Sequence, residues 1–167
     1  MNDLEEKNEL DTRYEVLKIA LQEQNLSDFR ENFLELHIYE QGQFYESLTE
    51  KERAQMYSYL SPKELADMFD SLEEDEDALK EYLEEMRPSY AAAMLSAMYT
   101  DNAVDLLNLL GKKDTAKYLS LMSPEAAAEI KELLHYEDET AGAIMTTEYV
   151  SILANQSVGS AMRYVKK

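Results

Sequence analysis

Leu48-Thr49-Glu50-Lys51-Glu52-Arg53-Ala54 opens a unit of twelve residues, and Leu60-Ser61-Pro62-Lys63-Glu64-Leu65-Ala66 opens the next on the same plan. An apolar residue marks the boundary, a hydroxyl follows it, a Glu lies three residues beyond the hydroxyl, and an Ala sits six residues into the unit. The plan continues through Leu72, Met86, Met98, Leu110 and Met122 to Leu134, at intervals of twelve except for fourteen between Leu72 and Met86. Small residues recur six places into the units, at Ala54, Ala66, Ala78, Ala92, Val104, Ala116 and Ala128. Twelve residues make one short helix and its turn, and a helix that short cannot bury its apolar face alone. The repeat therefore predicts stacked helices.

The punctuation of each unit supports this. Thr49 with Glu52 and Ser61 with Glu64 are capping boxes, in which the hydroxyl takes an orphan N–H and the Glu reaches back to the cap. Pro62, Pro88 and Pro124 each fall two residues after a boundary, at the first helical position, where the missing N–H costs nothing. In Ser123-Pro124 the hydroxyl cap remains without the Glu. Behind the small residues come Met56, Met68, Phe69, Met94, Leu95, Leu106, Leu107, Tyr118 and Leu119, which read as core. An Ala facing such neighbours should let adjacent helices approach closely. Antiparallel helices on this repeat predict an all-α solenoid with two helices per turn. Helices of this length are too short for a closed four-helix bundle.

Upstream, residues 3–24 predict one helix with Leu10, Tyr14, Leu17 and Leu21 on a stripe. Asn25 is expected to end it and Ser27 to cap a second helix carrying Phe29, Phe33 and Leu36. A third helix around residues 39–47 is weakened by Gly42. The two extra residues between Leu72 and Met86 coincide with the acidic run 73–77 and predict a longer loop or helix start. After Leu134 the pattern breaks. Residues 135–147 read as a connector, 148–153 as a strand and 158–166 as a helix capped by Ser157. A lone strand and helix have nothing to pair with, so a second domain starts there.

The 167 residues carry a net charge of −19. Residues 1–134 hold 31 acids against 13 Lys and Arg, and residues 64–85 hold eleven acids against Lys80 alone. Such a surface repels phosphate backbones, which argues against nucleic acid and favours cations or basic partners. A solvated face that only confers solubility has the same composition. With no Cys there is no disulfide, thiolate nucleophile or thiolate zinc site. The acidic N-terminus lacks the apolar core of a signal peptide. The longest small or apolar stretch, 89–99, falls far short of the roughly 20 residues of a spanning helix, so the chain as given reads as soluble. No acid/base dyad, nucleophile elbow or phosphate-binding glycine loop is present, and the sequence does not read as an enzyme. The run 73–77 lacks the alternation and the Gly of a calcium loop. His37 and His135 are single, without a second His at ligand spacing.

Tyr136-Glu137-Asp138-Glu139-Thr140-Ala141-Gly142-Ala143-Ile144-Met145-Thr146-Thr147-Glu148-Tyr149-Val150 closely resembles the junction between the cytosolic helical N domain and the first CBS domain of MgtE-type magnesium transporters. The helical repeats upstream resemble that N domain in order and spacing, so the likeness covers residues 27–167. It implies a right-handed superhelix of short helices over residues 27–134 behind an N-terminal helix in residues 1–26. A connector at 135–147 and the truncated start of a CBS domain at 148–167 would follow. It further implies a regulatory domain at the cytoplasmic face of the cell membrane. There, Mg2+ bound to acidic residues between this domain and the CBS domains, of the same chain or of its mate in a homodimer, favours the closed state of the transporter. Conduction itself would lie beyond this chain.

By the same resemblance Asp101, Asp105 and Asp67 fall where the family places magnesium-contacting carboxylates. Asp101 and Asp105 are four apart and hence neighbours on a helix, where like charges cost about 0.2–0.5 kcal/mol that a divalent cation would relieve. Magnesium takes hard oxygen ligands and keeps several waters, so one or two carboxylates from one domain suffice. The plainer reading makes Asp101 a helix-dipole partner and Asp105 a solvated residue. A helical scaffold for protein–protein interaction, like the similar units of flagellar rotor proteins, would explain the repeat and the acidity, but not the junction.

Overall fold

The computed structural model describes residues 2–137, and every regular element among them is an α-helix. They fall into two units, Met1–Met122 and the residues from Ser123 onward. The first holds α1 (Asp3–Gln22), α2 (Leu26–Leu34), α3 (Ile38–Glu46), α4 (Glu50–Tyr59), α5 (Pro62–Phe69), α6 (Glu76–Glu85), α7 (Pro88–Ala97), α8 (Thr100–Asn108) and α9 (Lys112–Ser120). The second holds α10 (Pro124–Glu137). The strand expected at 148–153, the helix at 158–166, most of the connector and the CBS start at 148–167 lie outside the described residues.

The twelve-residue period maps onto the helices directly. Boundary residues Leu48, Leu60, Met86, Met98 and Leu110 are buried in the turns between them. Both expected capping boxes form: the Thr49 and Ser61 hydroxyls accept from the amides of Glu52 and Glu64, whose carboxylates accept in return from the cap amides. Prolines open α5, α7 and α10, and the Ser123 hydroxyl accepts from the Ala126 amide. The extra residues before Met86 lengthen the α5–α6 loop, and Asp75 there caps α6 through the Ala78 amide at 3.0 Å.

Packing follows alternate helices. Within the first unit α3 packs on α5, α5 on α7 and α7 on α9, while α1 packs on α2 and α4. The repeat of contacts is thus a helix pair, in keeping with the solenoid reading. This corrects one expectation. Ala66, Ala92 and Val104, on α5, α7 and α8, are fully buried, but Ala54, Ala116 and Ala128 are exposed. Position on the row does not decide this, since Ala116 is exposed on α9, which packs on α7, while Val104 is buried on α8; the small residue has a packing role in some units and none in others.

Three further differences are local. Asn25, not Ser27, caps α2, accepting from the Asp28 amide at 3.2 Å. The turn before it places Gln24 at φ 57°, with the Asn25 amide donating to the Ala20 carbonyl and the Gln24 amide to that of Leu21. That paired arrangement closes α1 without a glycine. His37 caps α3, its Nδ1 accepting from the Tyr39 amide while the Glu40 carboxylate accepts from the His37 amide. Finally α10 runs through Leu134 to Glu137, past the point where the helical repeat was expected to give way to a connector. Gly42 sits buried in α3, where an added Cβ would stand 3.2 Å from Leu72 Cδ2. The helix-weakening residue is the one that admits Leu72.

Helices of eight to ten residues leave most of their terminal backbone groups without a partner inside the helix. Side chains from other helices take up many of the carbonyls. Tyr14 donates to the Glu40 carbonyl, Gln55 to that of Leu21, Arg30 to that of Tyr59, Arg53 to that of Leu48, and Tyr90 to that of Leu60. Gln41, buried, donates to the carbonyls of Phe33 and Leu36. Around these ties Phe29, Phe33 and Phe44 form an aromatic core joining α2 to α3, with ring centroids 5.3 to 6.3 Å apart.

One buried ion pair crosses the array. The Arg53 guanidinium meets both oxygens of Glu85, with side chains 10% and 7% exposed. Tyr57 donates to Glu85 at 2.9 Å, the Tyr45 and Tyr57 hydroxyls lie 2.6 Å apart, and Arg53 stands over the Tyr82 ring. Burial pushes the pKa values of both Tyr45 and Tyr57 up, so these phenols remain protonated.

Candidate functional site

Asp101 and Asp105 lie one turn apart on α8, both exposed, while Ala103, Val104, Leu106 and Leu107 turn inward. The alternation follows from helical spacing: inward residues at 103, 104, 106 and 107 leave 101 and 105 on the outer side. Asp101 Oδ1 accepts from the Asn102 amide at 3.0 Å, in the first turn, where the helix dipole favours a negative charge. Asp105 forms no hydrogen bond or ion pair through its side chain among the described residues. Asp67 is likewise exposed, on α5, three residues before that helix's C-cap.

Asp70 occupies that cap. Its carboxylate accepts from the Tyr99 amide at 3.2 and 3.3 Å and from Asn102 Nδ2 at 2.9 Å. Tyr99 is the N-cap of α8 and supplies no side-chain cap of its own. The negative partner that the positive amino end of α8 favours is thus delivered from α5. Asp70, Asn102 and Asp105 also line a shallow cleft of about 170 Å³, together with Phe69, Leu72, Leu79 and Met98.

A second pair of acids lies elsewhere. Glu46 ends α3 and Glu74 belongs to the α5–α6 loop. Burial, then the charge of Glu74 and a hydrogen bond to it, push the Glu46 pKa up to about 7. Burial and the neighbouring negative charge both favour the protonated form of Glu46.

The donors on α8 suit magnesium, being hard carboxylate oxygens on a helix surface open to water. Among the described residues, however, no three His, Cys, Asp or Glu side chains come together as a metal-binding group. Asp101 and Asp105 would hold an ion through one or two of its positions, with water or another surface supplying the rest. Asp67 lies on α5 one turn before Asp70, whose carboxylate reaches the start of α8.

Residues 36–139 match the family of the MgtE intracellular N domain. The chain belongs to this family. Over 163 residues it is 66% identical to the magnesium transporter MgtE of Enterococcus faecalis, covering 98% of this chain and 36% of that protein. Over 70 residues it is 31% identical to the magnesium transporter MgtE of Thermus thermophilus, covering 40% of this chain and 16% of that one. The chain therefore spans about a third of the length of the curated MgtE relative it matches over nearly its whole extent. Its fold is similar to that of the soluble part of a magnesium transporter, with a TM-score of 0.74 at 68% identity over 92% of this chain and 60% of the other. A cytosolic domain of the Mg2+ channel MgtE, solved in complex with ATP, shares the fold at a TM-score of 0.63 and 24% identity, over 75% of this chain and 51% of the other.

The MgtE match begins inside α2–α3 and ends two residues past α10, so it takes in the whole repeat array. No helix of this MgtE domain is long and apolar enough to cross a membrane, among the described residues. Sequence reasoning missed Asp70 and Asn102. Asp70 read as one more acid in a crowded run, and only the fold shows that it lies at the start of α8. The absence of a Ser, Thr, Asp or Asn at position 99 was the one available signal, since a helix start without its own cap needs a donor's partner from elsewhere.

Proposed function

We propose that the chain is the cytosolic magnesium-responsive domain of an MgtE-type magnesium transporter, lying at the cytoplasmic face of the membrane and acting as a binding switch. The observation that carries this reading is the exposed Asp101–Asp105 pair on α8, uncompensated by any cation side chain among the described residues, in a member of the MgtE N-domain family. Two carboxylates at that spacing repel each other, and a divalent ion relieves the repulsion. Asp67 is the third proposed contact.

The mechanism is electrostatic. The surface of this domain is strongly negative, and it would dock against the CBS domains of the same chain, or of its dimer mate, when Mg2+ neutralises the gap. Mg2+ then stabilises the docked, closed arrangement, and its loss releases the domain. A ligand shifts such an equilibrium only by its different affinity for the two states, and an ion bridging two surfaces binds only the docked one. The relatives are named as transporters, which supports a role outside catalysis.

The test uses the full-length protein and follows protease cutting within residues 135–147 as magnesium is titrated. Protection that rises with magnesium, and not with sodium at matched ionic strength or equally with calcium, is the expected result. Equal cutting with and without magnesium would remove the switch. Asp101→Ala with Asp105→Ala should weaken the protection, and an unchanged titration would take those two residues out of the site.

A further inference from the structure

We infer that Asp70 is a positioning residue: from the end of α5 it holds the amino end of α8, and with it the Asp101 and Asp105 carboxylates, in register with Asp67. This rests on the magnesium-responsive reading of α8 above.

Three observations carry it. First, α8, like α7 and α9, begins without a side-chain cap of its own, and among the described residues only the α8 start of these three has a carboxylate from another helix at its cap amide. Second, the Asp70 carboxylate holds two different donors there: Oδ1 accepts from both the Tyr99 amide and Asn102 Nδ2, and Oδ2 from the Tyr99 amide. One donor belongs to the backbone at the helix start and the other to its first turn, so both the position and the rotation of α8 about its axis are set. Third, the acids that would contact an ion flank this clamp: Asp67 one turn before Asp70 on α5, Asp101 next to Asn102, and Asp105 on the wall of the cleft that Asp70 also lines.

A carboxylate between two acidic helices raises the local negative charge, which works against stability. The fold retains it because the orphan amides of α8 need an acceptor there. Asn at position 70 would keep an acceptor oxygen where Oδ1 now serves both donors, whereas Ala would leave both without an acceptor.

The experiment measures the magnesium midpoint for protection of residues 135–147 in the full-length protein, together with amide exchange in the segment 98–106. Asp70→Ala should move the midpoint upward by about three- to tenfold and speed exchange in 98–106, while Asp70→Asn should stay within about twofold of wild type. Tyr90→Phe, which loses the buried bond to the Leu60 carbonyl, serves as a control for general loosening and should leave the midpoint in place. An unchanged midpoint in Asp70→Ala, or an equal shift in Tyr90→Phe, would overturn the positioning role. If Asp70→Ala does not fold, Asn102→Ala carries the test, because it removes the side-chain donor alone; an unchanged midpoint in it overturns the role equally. A wild-type protein with no magnesium response would instead overturn the proposed function, and the positioning role with it. The wild-type titration alone therefore tells the two failures apart.

Discussion

Glu64 and Glu46 are both carboxyls in an acidic protein, yet their surroundings drive them in opposite directions. Glu64 accepts two bonds of 2.8 Å from Arg30 as well as the Ser61 amide, and its pKa falls to about 2, chiefly through the Arg30 hydrogen bond. Glu46, half-buried against Glu74, rises to about 7. A carboxyl with a lowered folded-state pKa contributes stability above the unfolded value of 4.5 that is lost as the pH falls toward 2. A raised one does the reverse: ionising it opposes folding, so stability declines as the pH climbs from 4.5 through about 7. Both sites are open enough to solvent that each effect should amount to about 1 kcal/mol. Denaturant titrations across pH should therefore show Glu64→Gln flattening the acid limb of the stability curve and Glu46→Gln flattening the neutral limb. Parallel curves for wild type and both variants would contradict these assignments. Neither carboxyl's fate was legible in the sequence beyond the Ser61–Glu64 box, because Arg30 and Glu74 are distant in the chain.

At the level of helices, the repeat was legible almost in full and its internal hierarchy was not. Boundaries, capping boxes and prolines depend on neighbouring residues, and they placed the starts of α4, α5, α7 and α10. Which helices touch depends on three dimensions, so the exposed Ala54 and the buried Ala66 look alike in the sequence. The same limit hid the Arg53–Glu85 pair, which binds α4 to α6. Breaking one half of a buried pair leaves an unpaired charge, so Glu85→Ala should destabilise the domain by about 3–5 kcal/mol. Arg53→Met combined with Glu85→Leu should cost much less, since apolar residues of similar volume replace the pair. Thermal unfolding of both variants checks this; equal losses would mean that the pair contributes packing and no charge compensation.

For the whole molecule, family membership was legible from the junction motif around Ala141-Gly142 and Glu148-Tyr149-Val150, together with the repeat. The site was legible only as candidates. Asp101 and Asp105 do sit outward on one helix face, but the clamp between α5 and α8 came from the fold. The net charge of −19 belongs to this scale too. Self-repulsion of that size opposes the compact state, and salt screens it within about 10 Å at 0.1 M. The melting temperature should therefore rise by several degrees between about 0.02 and 0.5 M NaCl. A flat response would show that the acids are spaced widely enough not to oppose folding.

The ties between distant helices share one more property. Tyr14 to Glu40, Gln55 to Leu21, Arg30 to Tyr59, Arg53 to Glu85, Tyr90 to Leu60 and Asn102 to Asp70 each span 26 to 34 residues, a little over one helix pair. A chain leaving the ribosome at about 5–20 residues per second presents each new pair over a second or more, whereas a helix forms in about a microsecond. Each pair can thus be fastened to the one before it while the next is still being synthesised. The growing end always finds its partners already made, and at no stage does a long unpaired stretch of this acidic chain have to wait for the far terminus.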